Sequence, residues 1–130
     1  KCEKGAYVVN ITSHESNVTI IASGTEVELA LKVQDKLKDN NIHSKVVSMP
    51  CMELFDKQPE DFRNDIIEKD SLVVTLEAGS IMSWQKYIKN KGMSIGIDRF
   101  GESAPYKEVY NHFDLSEEKI TDFIQKKLRE

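Results

Sequence analysis

Five short apolar runs recur along the chain, and amphipathic segments separate most of them. They are "AYVV" (Ala6–Val9), "VTIIA" (Val18–Ala22), "KVVS" (Lys45–Ser48), "LVVTL" (Leu72–Leu76) and "SIGI" (Ser94–Ile97), the last four rich in Val and Ile. Strand alternating with helix constrains a chain strongly. It predicts a three-layer α/β domain around a largely parallel sheet. No repeat, linker or low-complexity stretch breaks the pattern, and 130 residues suit one domain, 1–130. A chain of this size can bury roughly two thirds of its unfolded surface, enough for a stable core.

Two helices are well marked. After Gly24, Val27, Leu29, Ala30, Leu31, Val33 and Leu37 cover one arc at helical spacing, with Glu28, Lys32, Asp35 and Asp39 opposite. "DNN" stops this helix. Near the end, Ser116 serves as N-cap, Glu117 and Glu118 fill the first turn, and Leu115 and Ile120 have hydrophobic-staple spacing. Ile120, Phe123, Ile124 and Leu128 form the expected buried stripe. Lys126, Lys127 and Arg129 stand where the helix dipole favours cations. Between these, Pro59 suits the first turn of a short helix running toward Ile67. "EAGSIMSWQKYIK" reads as a Gly79 turn, a Ser80 cap and a helix. "FGESAPYKEVYNHF" repeats that scheme with Ser103 and Pro105.

In open α/β sheets, ligands favour the carboxyl ends of the strands. Those ends supply Ser23–Thr25, Ser48–Pro50, Glu77–Gly79 and Asp98–Gly101. The Ser23–Thr25 turn has one glycine and no lysine, so it is neither a dinucleotide fingerprint nor a P-loop. Glu26 and Glu28 already complement the positive helix end, and they would repel a phosphate. The expected role of Gly24 is to make the turn, with Ser23 or Thr25 capping the helix. Glu77 and Asp98 could pair for magnesium or acid/base work. The acidic pair and lysine of a phosphoacceptor receiver are absent, so pairing with neighbours is the plainer expectation. His14, His43 and His112 show no metal or catalytic spacing. No GxSxG occurs, and Cys51 has no patterned histidine partner. Trp84, Phe100, Tyr106 and Tyr110 suit a core or an interface.

Composition narrows the partners. The net charge is −4, with no Lys/Arg cluster of the kind a nucleic-acid binder carries. No apolar run approaches the roughly 20 residues that span a bilayer, and the start is not a signal peptide. Cys2 and Cys51 form no CxxC and point to free thiols in a reducing, cytoplasmic compartment. A first residue Lys1 instead of Met fits processing or a piece of a longer chain.

Three segments, "VSMPCMELFDKQPEDFR" (Val47–Arg63), "EAGSIMSWQKYI" (Glu77–Ile88) and "GIDRFGESAP" (Gly96–Pro105), closely resemble the third, C-terminal domain of transketolase. "KGAYVV" and "ASGTEVELA" fit the same domain, so the resemblance runs from about Gly5 to Leu128, in family order. It implies a three-layer α/β/α domain with a five-stranded mixed sheet, mostly parallel, whose first strand is antiparallel. It also implies a parent enzyme that moves a two-carbon ketol unit from a ketose phosphate to an aldose phosphate, in the pentose phosphate pathway. In that family thiamine diphosphate and Mg2+ (or Ca2+) sit between the first domain and the middle domain of the homodimer mate. The cofactor ligands, catalytic histidines and glutamate, and sugar-phosphate arginines lie in those two domains. No catalytic, cofactor-binding or metal residue carries over to this chain. The implied partners are the other domains of the same chain and its dimer mate, with no nucleic acid and no membrane. The implied role is packing and dimer contact. Two other readings stay open: a free-standing module for phosphorylated metabolites, or the matching domain of dihydroxyacetone synthase, deoxyxylulose phosphate synthase or a 2-oxo acid dehydrogenase β subunit. "MPCMELFDKQ" favours transketolase over the last two.

Overall fold

The computed structural model describes residues 4–13, 16–24, 26–67, 71–77, 92–96, 109–111 and 117–129. In chain order the elements are β1 (Tyr7–Ile11), β2 (Val18–Ala22), α1 (Glu26–Asp39), β3 (Ser44–Ser48), α2 (Met52–Asp56), α3 (Glu60–Ile66), β4 (Leu72–Glu77), β5 (Gly92–Gly96), β6 (Val109–Asn111) and α4 (Glu117–Leu128). The sheet is mixed, in the order β1-β3-β2-β4-β5-β6. β1 runs antiparallel to β3, and every other pairing is parallel.

Each of the five apolar runs overlaps a strand, β1 to β5 in order, with Ile97 of the last run outside the described residues, and the antiparallel first strand is as the family resemblance implied. The strand count is a correction. Among the described residues the sheet has six strands where five were expected, and β1 to β4 are the four whose side chains are described. The sixth is the three-residue β6, beside β5, in the segment expected to be a helix capped at Ser103. Parallel pairing to β5 decides its state, and three residues carry no period that a sequence could display.

The strands β2 and β3 are buried at every position. One core cluster joins Val18, Ile20, Val46 and Val74 to Ala30, Val33 and Leu37 of α1 and to Ile120 and Ile124 of α4. On the opposite face Ile21, Val47 and Val73 meet Phe55 of α2 and Ile66 of α3. These are the three layers. In α1 the Glu28–Lys32 pair is 3.9 Å apart and largely exposed, so it adds little. Leu128, expected in the buried stripe of α4, is exposed instead, while Thr121 is buried.

"DNN" ends α1 by a Schellman motif. Asn41 adopts φ 62°; its N–H donates to Lys38 O (2.9 Å), and Ile42 N–H donates to Leu37 O (2.9 Å). Pro59 stands one place earlier than expected, as the N-cap of α3 with φ −57° and ψ 151°. Its fixed φ suits either position, and its extended ψ puts it outside the helix.

Candidate functional site

The sheet order places a topological switch between β2 and β4, because α1 carries the chain from β2 to β3 on one side and the return to β4 passes β2. Ala22 pairs with Leu76 there, so Ser23–Gly24 and Glu77 mark the carboxyl ends flanking the switch. Gly24 has φ +58°, a conformation favoured by its lack of Cβ, and it is exposed. Ser23 O accepts from Glu26 N–H (3.2 Å) and Gly24 O from Val27 N–H (3.3 Å), which closes the first turn of α1. Thr25 lies outside the described residues.

Electrostatics here oppose a phosphate. At about 5 Å and an effective dielectric of about 20, one like-charge contact costs about 3 kcal/mol. A helix end offers about 0.3–1 kcal/mol. Glu26, half-buried in the first turn, brings that repulsion; Glu28 projects into solvent and is better screened.

The neighbouring strand end is filled by the chain itself. Met49 N–H donates to Ala22 O (2.9 Å), extending the β2–β3 ladder, and Cys51 N–H donates to Gly5 O (3.2 Å). Gly5 has φ +86°, and a Cβ there would overlap Cys51 O and Phe55 N. Ala6 is buried beside it, and the Lys4 ammonium stands over the Phe62 ring, 4.8 Å from its centroid. Residues Lys4–Ala6 thus form a strap across α2 and α3. Cys51 is half-buried and free, and serves as N-cap of α2 with no side-chain bond in that role.

The other sequence candidates fall as follows. His43 sits half-buried before β3, its Nδ1 3.3 Å from Thr12 Oγ1, so its ring is held by a structural hydroxyl. Glu77 closes β4, while Asp98, Gly79, His14, His112, Trp84, Phe100 and Tyr106 lie outside the described residues. Among the described residues, no three His, Cys, Asp or Glu side chains gather to hold a metal. A polar cleft between the end of α1 and α4, lined by Lys36, Asp39, Glu118 and Asp122 among others, encloses about 320 Å³ and is wide open to solvent.

Several buried polar groups escaped the sequence reading. Gln34 donates from Nε2 to Ser44 O (3.0 Å) and Asn10 O (3.3 Å), and its Oε1 accepts from Asn10 Nδ2 (2.8 Å). Lys45 Nζ donates to Asp65 O (2.8 Å) and Ile66 O (3.2 Å), closing the C-terminus of α3. Thr19 and Ser71 share a buried hydroxyl bond of 2.7 Å. Each fastens one element to another, and none converges on an open crevice. The one local signal was Lys45, a charged residue inside the apolar run "KVVS"; Gln34 in the amphipathic α1 gave none.

An α/β/α domain with one antiparallel edge strand, its β3 end plugged by its own chain, is the class defined by this geometry. The chain belongs to the transketolase C-terminal domain family: the model described as "Transketolase-like TK C-terminal domain" matches residues 5–116. The transketolase of Bacillus subtilis is 39% identical over 125 residues, 95% of this chain and 19% of that protein. The chloroplastic transketolase of Solanum tuberosum is 37% identical over 120 residues, 90% of this chain and 16% of that one. Among solved structures, the transketolase of Pichia stipitis superposes with a TM-score of 0.78 at 28% identity, over 97% of this chain and 18% of that one. That of Leishmania mexicana gives 0.75 at 30% identity, over 98% and 18%. This chain therefore spans less than a fifth of the length of these relatives.

Proposed function

We propose that this chain, 1–130, is a single domain that serves as the C-terminal part of a transketolase polypeptide. The complete enzyme would move a two-carbon ketol unit from a ketose phosphate to an aldose phosphate. The observation that carries the reading is the family match over residues 5–116 together with the small share of each relative that is covered. Thiamine diphosphate supplies the carbanion stabilisation in such a reaction when it is bound. The described residues of this chain do not fit it. The switch between β2 and β4 offers carboxylates where a diphosphate needs cations or free N–H groups, so no catalytic step is assigned to this chain and no catalytic or cofactor-binding residue is named. The cofactor and a divalent metal, Mg2+ or Ca2+, would be held by the preceding parts of the enzyme and its dimer mate. The role left to this domain is packing and dimer contact, with no nucleic-acid or membrane partner.

The free thiol of Cys51 and bacterial relatives support a cytoplasmic setting; plant relatives are chloroplastic. No helix among the described residues is long and apolar enough to cross a membrane.

Calorimetry with thiamine diphosphate and Mg2+ tests the reading. The 130-residue chain is expected to give no saturable heat. The polypeptide encoded by the whole reading frame is expected to bind the cofactor and to use xylulose 5-phosphate, the sugar phosphate held in one Pichia stipitis structure. Saturable micromolar binding by the 130-residue chain would overturn the assignment.

A further inference from the structure

The two helical layers cover the sheet unequally. On one face lie α1, 14 residues long, and α4, with 12; on the other, α2 and α3 have 5 and 7. Register shows what the shorter pair leaves bare. Val8 pairs with Val47 and Ile11 with Lys45. Val47 belongs to the α2–α3 core, and the Lys45 ammonium caps α3, so Val8 and Ile11 share that face. The bulge between Val8 and Asn10 turns Val9 and Asn10 to the other side, where Val9 packs on the α1–α4 core and Asn10 bonds Gln34. Val8 and Ile11 are 38% and 39% exposed, and Leu54 on α2 is 40% exposed. Three of the four large exposed hydrophobic residues among those described therefore lie on the α2–α3 face, and Leu128 lies on the other.

The incoming chain reaches the same face. Lys4 lies over Phe62 of α3, and Gly5 O is bonded to Cys51 N at the start of α2. The strap passes within 3.0 Å of the Leu54 carbonyl carbon, measured from where a Gly5 Cβ would stand. Lys4 and Gly5, through which any upstream polypeptide must join, thus stand against α2 and α3, close to Leu54.

We propose that Val8, Ile11 and Leu54 form the seat on which the preceding domain of a longer transketolase chain rests. The proposal builds on the reading above that such a domain precedes this one. The occupant follows from two observations: the strap seats the junction residues Lys4 and Gly5 against α2 and α3, and the relatives extend over more than four fifths of their length beyond the matched part. A second copy pairing along the β1 edge is disfavoured by the bulge, which breaks the flat ladder such pairing needs.

The test uses the polypeptide encoded by the whole reading frame and the 130-residue chain side by side. Each carries Val8→Lys, Ile11→Lys or Leu54→Lys, with Leu128→Lys as an equally exposed control on the opposite face. Hydrogen exchange of the β1 amides is the readout. In the longer polypeptide β1 is expected to exchange more slowly than in the short chain. The first three variants raise that exchange to the short-chain level, and Leu128→Lys leaves it unchanged. Exchange of β1 that is equal in the two lengths, or unmoved by the three variants while the longer polypeptide transfers ketol units, would overturn the seat and leave the family reading standing. A longer polypeptide that shows the expected exchange but neither binds thiamine diphosphate nor transfers ketol units would support the seat and overturn the enzyme reading. A dimer of the short chain abolished by Ile11→Lys would put a second copy on the strip and also overturn the proposal.

Discussion

Replacing Gly5 by alanine is expected to destabilise the chain far more than the same change at Gly24, and the structure gives the reason. Both glycines have positive φ, +86° and +58°. Holding a residue with a Cβ in that region costs about 1–2 kcal/mol, and this is the whole expected cost at Gly24, where a Cβ would meet nothing within 4 Å. At Gly5 the added Cβ runs into Cys51 O and Phe55 N, with Leu54 C at 3.0 Å. These are backbone atoms and cannot swing aside. If the strap lifts, the Cys51–Gly5 hydrogen bond is lost, worth about 1 kcal/mol, and Ala6 is uncovered. If α2 retreats, Phe55 is drawn from a site where it is 2% exposed, and full exposure costs about 3 kcal/mol. A partial version of either adds about 1–2 kcal/mol, so Gly5→Ala should cost about 2–4 kcal/mol in all. Urea denaturation followed by circular dichroism measures both variants. A second comparison isolates the cause: in a Phe55→Ala background, where α2 has less to lose, Gly5→Ala should cost less than in the parent chain. Equal costs for Gly5→Ala and Gly24→Ala, or strict additivity with Phe55→Ala, would refute the reasoning.

Four further changes have expected outcomes. Gln34→Leu should cost about 2–3 kcal/mol in the same denaturation assay, since it leaves the amide of Asn10 without its buried partner and removes a donor from Ser44 O. Lys45→Met keeps the apolar stem but uncaps Asp65 O and Ile66 O; a loss of about 1–2 kcal/mol is expected, with exchange of the last turn of α3 as the local check. Ser44 Oγ is the one buried side-chain polar atom among the described residues without a partner, so Ser44→Ala should leave the midpoint unchanged or raise it by up to about 1 kcal/mol of stability. Asn41→Ala should cost about 1 kcal/mol while Asn41→Gly costs nothing, because position 41 needs a left-handed backbone; thermal melts of the pair read the difference.

The parts of the fold that were legible are those in which one side of the physics dominates. β2 reads as a strand because all five of its positions are buried, which leaves a nearly unbroken apolar run. α1 reads as a helix because its exposed and covered sides alternate at 3.6 residues, and Asn41 marks its end. Gln34 was hidden because its partners Asn10 and Ser44 stand 24 and 10 residues away, so nothing local distinguishes it from a surface glutamine. Lys45 stands out as a charge at the start of an apolar run, but its role was hidden: the helix end that it caps lies 20 residues downstream. α2 has five residues and an N-cap with no side-chain bond, so neither period nor capping announces it. The "SMPCMELFDKQP" stretch identified the family without showing its own role. The structure supplies one: it builds the end of β3, the Cys51 seat for Gly5, and Phe55.

The same strap and the same acidic turn bear on whether the sheet's carboxyl edge can hold a ligand in solution. At the β3 end a ligand must first displace residues Lys4–Ala6. On the figures above, that sacrifices the Cys51–Gly5 bond and part of the Ala6 and Phe55 burial, about 2–3 kcal/mol, which weakens affinity by roughly 30- to 150-fold. At the β2–β4 switch no displacement is needed, but a phosphate brought within about 5 Å of the Glu26 carboxylate would meet a repulsion of up to about 3 kcal/mol, less whatever solvent and that group's own contacts screen, against less than about 1 kcal/mol of helix-dipole attraction. A millimolar complex rests on about 4 kcal/mol in total. Either penalty consumes most of that, and the two act at different strand ends by different physics, so relieving one leaves the other in force. An anion reaches this edge on favourable terms only if something else supplies positive charge at Ser23–Gly24, and that places the requirement on a partner rather than on this turn.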